Sequence, residues 1–199
     1  MHSKFLLACF ILFTGIFQSS GQEKSSDSKL LAPPGWRSER FSLPPAFAKS
    51  IPFAGKEDIR FSPNWAKKNT EGYWTYCFLW AIDDSPSFAA KDIGIYLKDY
   101  FTGLIKANLA ASKTDVSKAI PVEISLREAE EKNTADKVYE GDIRMLDYKE
   151  QAPITLHLRI FVRDQKKVNS GLIVFVEASP QPYNDKVWRY FDSIYKSIN

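Results

Sequence analysis

Residues 72–82 read GYWTYCFLWAI, and the prediction of the fold depends on this segment. From Tyr73 onward nearly every side chain is aromatic or apolar, and only Thr75 is polar. A strand with one face in solvent alternates polar and apolar side chains, whereas a strand covered on both faces does not. We therefore predict a central strand here, with four large side chains on one face beneath a helix: Trp74, Tyr76, Phe78 and Trp80.

A helix is predicted directly after this strand, over residues 86–112. Asp83 and Asp84 end the apolar run, and Ser85 before Pro86 is a capping residue followed by a proline suited to the first turn. We interpret the two aspartates as part of this helix start, with a metal-ligand or paired-carboxylate role as the alternative. Apolar side chains then recur at steps of three and four and predict one buried face, formed by Ile93, Leu97, Tyr100, Phe101, Leu104 and Ile105.

The period of the apolar residues changes to two after this helix, which predicts strands that are apolar on one side. A short strand around residues 58–62 precedes the central one, and a closing helix begins near Asn184. The predicted order is β-β-α-β-β-β-β-α. We expect an α+β fold, an antiparallel sheet with packed helices in a two-layer or three-layer sandwich. The strands after the first helix are predicted at residues 120–127, 138–148, 154–163 and 171–178, with a polar hairpin at 164–170.

The first residues predict export. Residues 1–21 combine a short charged start, an apolar run and a small polar exit, the pattern of a signal peptide cleaved before Gln22. Residues 22–29 are polar and aperiodic and predict a disordered tether. A single domain follows at 30–199, and residues 30–63 form its Pro-rich and aromatic arm. We expect a periplasmic or extracellular protein without a transmembrane segment after cleavage.

The sequence of the arm resembles that of a known protein family. The segment FSLPPAFA at residues 41–48 and the segment EDIRFSP at 57–63, together with the aromatic strand, resemble an uncharacterised family of exported bacterial proteins. The element order is similar to the PsbP/Mog1-like sandwich. That similarity implies a non-catalytic accessory or binding protein and supplies no catalytic motif.

The scarcity of reactive side chains excludes several classes of site. Beyond the leader the chain has one histidine, His157, and one cysteine, Cys77. A serine-histidine triad, a thiol-histidine pair or a multi-histidine metal site would have to be built around one imidazole or one thiol. Cys77 cannot form an internal disulfide in the exported chain, and we expect it to be a buried thiol. We predict no catalytic residues, no cofactor and no metal.

Charge gives little indication of a partner. The net charge is +3, with basic and acidic residues interspersed, so we expect no nucleic-acid binding. We also expect a monomer. The aromatic side chains are more informative, because 12 of the 28 lie between Trp36 and Phe88. They favour core packing, with a binding platform as the alternative.

A candidate binding surface is predicted on the second face of the aromatic strand, at Tyr73 and Thr75 beside His157 and Arg159. His157 is in phase with polar residues of its strand, so we expect it to be partly exposed. The predicted function is an exported, non-catalytic binding or accessory domain of the bacterial envelope, whose partner is an envelope protein or a small ligand. The alternative is a secreted hydrolase that uses two carboxylates brought together in space.

Overall fold

The computed structural model describes residues 30–84, 88–130, 136–164 and 171–198. The predicted signal peptide, the tether, the helix start at Ser85 and Pro86, and most of the 164–170 hairpin lie outside these residues. The fold is α+β, with one antiparallel sheet of seven strands and two helices. The predicted element order is present, with one further strand at the start of the domain. The sheet is therefore larger than the predicted sandwich.

The strand order in the sheet is β1-β2-β3-β7-β6-β5-β4, and every neighbouring pair is antiparallel. Two meanders, β1 to β3 and β4 to β7, are joined by pairing between β3 and β7. The strands are β1 (Arg37–Leu43), β2 (Gly55–Phe61), β3 (Tyr76–Ile82), β4 (Glu123–Ala129), β5 (Lys137–Asp147), β6 (Ala152–Asp164) and β7 (Leu172–Ser179).

The strand β3 is covered on both faces, as its continuous apolar character predicts. Tyr76, Phe78 and Trp80 pack in one apolar cluster, while Cys77 and Leu79 pack in the other. Cys77 is a fully buried free thiol. Because the first cluster contains the apolar face of one helix and the second contains that of the other, the two helices lie on opposite faces of the sheet.

The first helix, α1 (Ala90–Ala111), begins later than the sequence predicts. Its N-cap is Ala89, and the Asp92 carboxylate accepts a hydrogen bond of 3.2 Å from the Ala89 amide. Asp83 and Asp84 are exposed and do not cap the helix, so the predicted capping role is wrong. Phe88 is already buried against Phe53 before the helix starts, with ring centroids 5.5 Å apart. The predicted apolar face is buried in α1, apart from Leu104, which is half-buried.

The second helix, α2 (Val187–Tyr195), packs on the opposite face through Val187, Trp188, Phe191 and Ile194. It begins after Lys186, close to the predicted start. The Asp185 carboxylate accepts a hydrogen bond of 2.9 Å from the Val187 amide and so satisfies one donor of the first turn. None of the helices among the described residues is both long and apolar enough to cross a membrane.

The arm at residues 30–63 contributes two strands, β1 and β2, to the sheet. The edge strand β1 was not predicted, and β2 begins earlier than the predicted short strand. Leu30 is held on the α2 side of β2 by a buried ion pair between Asp58 and Arg60. The Leu30 amide donates to Asp58 at 3.3 Å, and the Arg60 Nε donates to the Leu30 carbonyl at 3.1 Å.

Candidate functional site

A groove of about 880 Å³ lies between the β1–β2–β3 half of the sheet and α1. The helix packs most closely on β4 and β5, so the sheet face near the β1 edge is left open. The volume falls within the roughly 300–1,000 Å³ of small-molecule sites. We call it the aromatic groove, because eight aromatic side chains line it: Phe41, Phe47, Phe61, Trp65, Trp74, Tyr76, Tyr100 and Tyr148.

Strand register builds the floor of the aromatic groove. Arg37 of β1 lies opposite Phe61 of β2, and Phe61 lies opposite Tyr76 of β3. Side chains two residues apart share a face of a sheet, so Glu39 and Ile59 continue the same floor. The Phe61 and Tyr76 rings stack with centroids 5.8 Å apart. The floor is therefore a rigid aromatic surface with charged groups toward the β1 edge.

The segment between β2 and β3 forms one wall. Trp65 packs against Phe61 at 4.8 Å and against Trp74 at 5.6 Å between ring centroids. Trp74 has a φ of 50°, a conformation that is uncommon for a bulky residue and that the surrounding structure must hold in place. The Trp74 indole is fully buried under Tyr148, at 5.3 Å between centroids. The wall thus places two indoles beside the turn that follows β5.

Lys149, in that turn, is the most unusual side chain of the groove. Its Nζ lies 3.5 Å from the centroid of the Trp65 ring and 4.2 Å from that of Trp74. The rings of Tyr73 and Tyr148 lie 5.2 Å and 5.6 Å away. This Nζ is covered from solvent and has no hydrogen-bond partner among the described residues. We call the four rings the aromatic cage.

The cage changes the acidity of this amine. Burial lowers the pKa of Lys149 to about 8, and the carboxylates of Asp147 and Glu150 oppose that change. Burial raises the pKa of Tyr73, and so does the hydrogen bond that its hydroxyl donates to the buried carboxylate of Asp147. A cation held by aromatic faces without hydrogen bonds leaves three donors unsatisfied.

A second buried ionisable side chain lies behind the floor. Glu57 of β2 is fully buried, and its Oε1 accepts a hydrogen bond of 2.8 Å from the Tyr100 hydroxyl. Burial raises the pKa of Glu57 to about 8 although the Tyr100 bond lowers it, and the nearby Glu39 adds a smaller upward contribution. Glu57 does not line the groove. It is a neutral buried acid that accepts the hydrogen bond of Tyr100, which lines the groove.

The predicted surface residues are not brought together as a set. Tyr73 belongs to the α1 side, with the aromatic cage, whereas Thr75, His157 and Arg159 belong to the α2 side. Thr75 is fully buried and its hydroxyl lies 2.8 Å from that of Ser179. The position of Tyr73 follows from Trp74, because its positive φ interrupts the strict alternation that the sequence prediction assumed.

His157 and Arg159 each have fixed partners. The His157 side chain is 33% exposed, as predicted, and its Nδ1 lies 2.6 Å from Asp142 Oδ1 on the paired strand. Arg159 is shared by acids of three elements, at 3.1 Å from Asp192, 3.6 Å from Glu177 and 3.8 Å from Glu140. A ligand-binding role for these two residues stays a prediction.

The aromatic groove and Lys149 were missed by sequence reasoning. Trp65 and Lys149 are separated by more than 80 positions, and neither lies in a motif. The only signal was the concentration of aromatic residues, which favoured core packing. No group of three or more His, Cys, Asp or Glu side chains arranged to hold a metal occurs in the described ranges.

Comparison with known proteins gives no relative. No protein-family model matches the chain, and no characterised protein or solved structure matches it either.

Proposed function

We propose that the protein is an exported, non-catalytic binding domain of the bacterial envelope, and that its ligand occupies the aromatic groove. The observation that carries the proposal is an open groove of about 880 Å³ that eight aromatic side chains line. Such a surface is costly to leave in water and favours an apolar ligand. Export rests on the signal-peptide pattern, and the finding that exported material begins at Gln22 by intact mass would support it.

The groove has the features of a preformed site. Phe61, Trp65 and Trp74 form a continuous series of ring contacts, and the pairing of β1, β2 and β3 fixes the side chains of the floor. Trp65 and Trp74 have indole nitrogens without a hydrogen-bond partner in the described structure. A rigid site loses little conformational entropy when an apolar ligand binds.

The alternative, a hydrolase with two carboxylates, needs both acids to face the substrate. Glu39 is the only acid among the described residues that line the groove. Its nearest acidic neighbour on this face, Glu57, is fully buried and bonded to Tyr100. The groove residues therefore favour binding over this chemistry.

The test uses an uncharged apolar fluorophore, N-phenyl-1-naphthylamine, and two alanines at the end of α1. Ala111 lines the groove and Ala110 is exposed but does not line it. We expect Ala111→Trp to fill part of the groove and weaken probe binding about tenfold, while Ala110→Trp binds like the wild type. Equal affinity in both variants, or no binding by the wild type, would refute the groove as the ligand site.

A further inference from the structure

The ligand of the aromatic groove, we infer, is a long-chain carboxylate, an alkyl chain whose terminal carboxylate pairs with the Lys149 ammonium. This inference rests on the proposed function and names the chemical class of the ligand.

Lys149 lacks a hydrogen-bond acceptor in the described structure. Its Nζ is removed from water and has three hydrogen-bond donors but no acceptor among the described residues. The faces of Trp65 and Trp74 supply cation–π attraction, which compensates part of the lost hydration. A ligand oxygen would complete the site, because a buried ammonium is most stable with an anionic hydrogen-bond acceptor.

The position of Lys149 also allows it to contact such a ligand in the groove. Lys149, Trp65 and Trp74 all line the groove, so the lysine and two rings of its cage border it. The four-carbon stem of lysine is flexible, so Nζ can turn from the ring faces toward a ligand head group in the groove. Its pKa of about 8 leaves it mainly protonated at neutral pH, and an anion would stabilise that charged form further.

The lining of the groove also has an excess of positive charge. Its described lining carries three basic side chains, Arg37, Lys67 and Lys149, against the single acid Glu39. This excess favours an anion at one end. A second cation would be repelled by Lys149, which already occupies the aromatic cage, so a quaternary ammonium ligand is disfavoured.

The apolar residues of the groove favour a hydrocarbon tail on the ligand. The floor and the α1 wall offer apolar contacts from Phe61, Ile59 and Leu104. One caged amine matches a head group with a single negative charge, and the apolar side chains of the groove match a hydrocarbon chain. Each methylene buried on such a surface should tighten binding about fourfold.

The experiment compares dodecanoate, dodecanol and dodecyltrimethylammonium by isothermal titration calorimetry on the full exported chain. For the wild type we expect dodecanoate to bind at least about tenfold more tightly than dodecanol, and the cationic amphiphile to bind most weakly. In Lys149→Met the preference for dodecanoate should disappear while dodecanol binding persists, which also shows that the variant is folded. Lys149→Arg should retain the preference for the anion.

Lys68→Met is the matched control. Lys68 is a nearby lysine that pairs with Glu150 at 2.9 Å and does not line the groove. Its variant should keep the wild-type preference. Equal affinity of the wild type for dodecanoate and dodecanol, or tighter binding of the cationic amphiphile, would overturn the carboxylate assignment and leave the groove as an apolar site. Failure of all three probes to bind would contradict the proposed function itself.

Discussion

Glu57 should make the stability of this protein depend on pH. Its pKa is about 8 in the folded protein, against an ordinary value of 4.5, because it is fully buried. The folded state therefore keeps a proton that the unfolded chain releases, and stability should fall as the pH rises from about 4.5 to about 8. Between about pH 5 and pH 8 the loss should be about 3 kcal/mol, since one pKa unit corresponds to about 1.4 kcal/mol.

The substitution Glu57→Gln tests this reasoning. Gln has the shape of the neutral acid, its Oε1 can still accept from Tyr100, and it has no charge to release. We expect the variant to match the wild type near pH 5 and to exceed its free energy of unfolding by about 3 kcal/mol near pH 8.

Urea unfolding across this pH range is the assay, with Glu39→Gln as the control for an exposed acid on the same face. The control should change stability much less. Parallel profiles for the wild type and Glu57→Gln would refute the argument, because they would show that Glu57 is ionised in the folded protein.

Two further predictions concern packing. Trp80 is fully buried against Phe53 and Phe78, with ring centroids 5.6 Å and 5.3 Å away, so Trp80→Ala should lower the free energy of unfolding by about 3–5 kcal/mol in denaturant titration. A loss below about 1 kcal/mol would contradict this. In α1, a Cβ at Gly103 would lie 1.9 Å from the carbonyl oxygen of Phe47, whereas one at Gly94 would meet nothing within 4 Å. Gly103→Ala should therefore destabilise by about 1–3 kcal/mol, while Gly94→Ala should stabilise by about 0.5–1 kcal/mol; equal thermal shifts for both would count against this packing.

Periodicity in the sequence was sufficient for the fold class. The unbroken apolar run of β3 requires cover on both faces, and the one-sided patterns of the later strands and of both helices indicate what supplies that cover. These are local properties, because side-chain spacing of two or of three to four residues follows from backbone geometry alone. The burial of Cys77 and Trp80 follows from the same pattern.

Other elements could not be predicted from local pattern. The strand β1 is an edge strand that is mostly exposed and has three charged side chains, so it lacks the apolar alternation that marks a strand. Only its pairing with β2 makes it part of the sheet. The start of α1 was similarly decided by tertiary contact, since Phe88 packs in the core ahead of the first helical turn.

The candidate site depends on the tertiary structure almost entirely. Trp65 and Trp74 come from the segment between β2 and β3, whereas Lys149 comes from the turn after β5, far away in sequence. The aromatic cage exists only because the end of β2, the start of β3 and the end of β5 lie near one another. The sequence by itself determined that the protein has many aromatic side chains and an α+β core in which to bury them. Which of those rings pack inside and which line an open groove depends on where α1 crosses the sheet, because the face that a helix leaves uncovered is a property of packing over the whole chain.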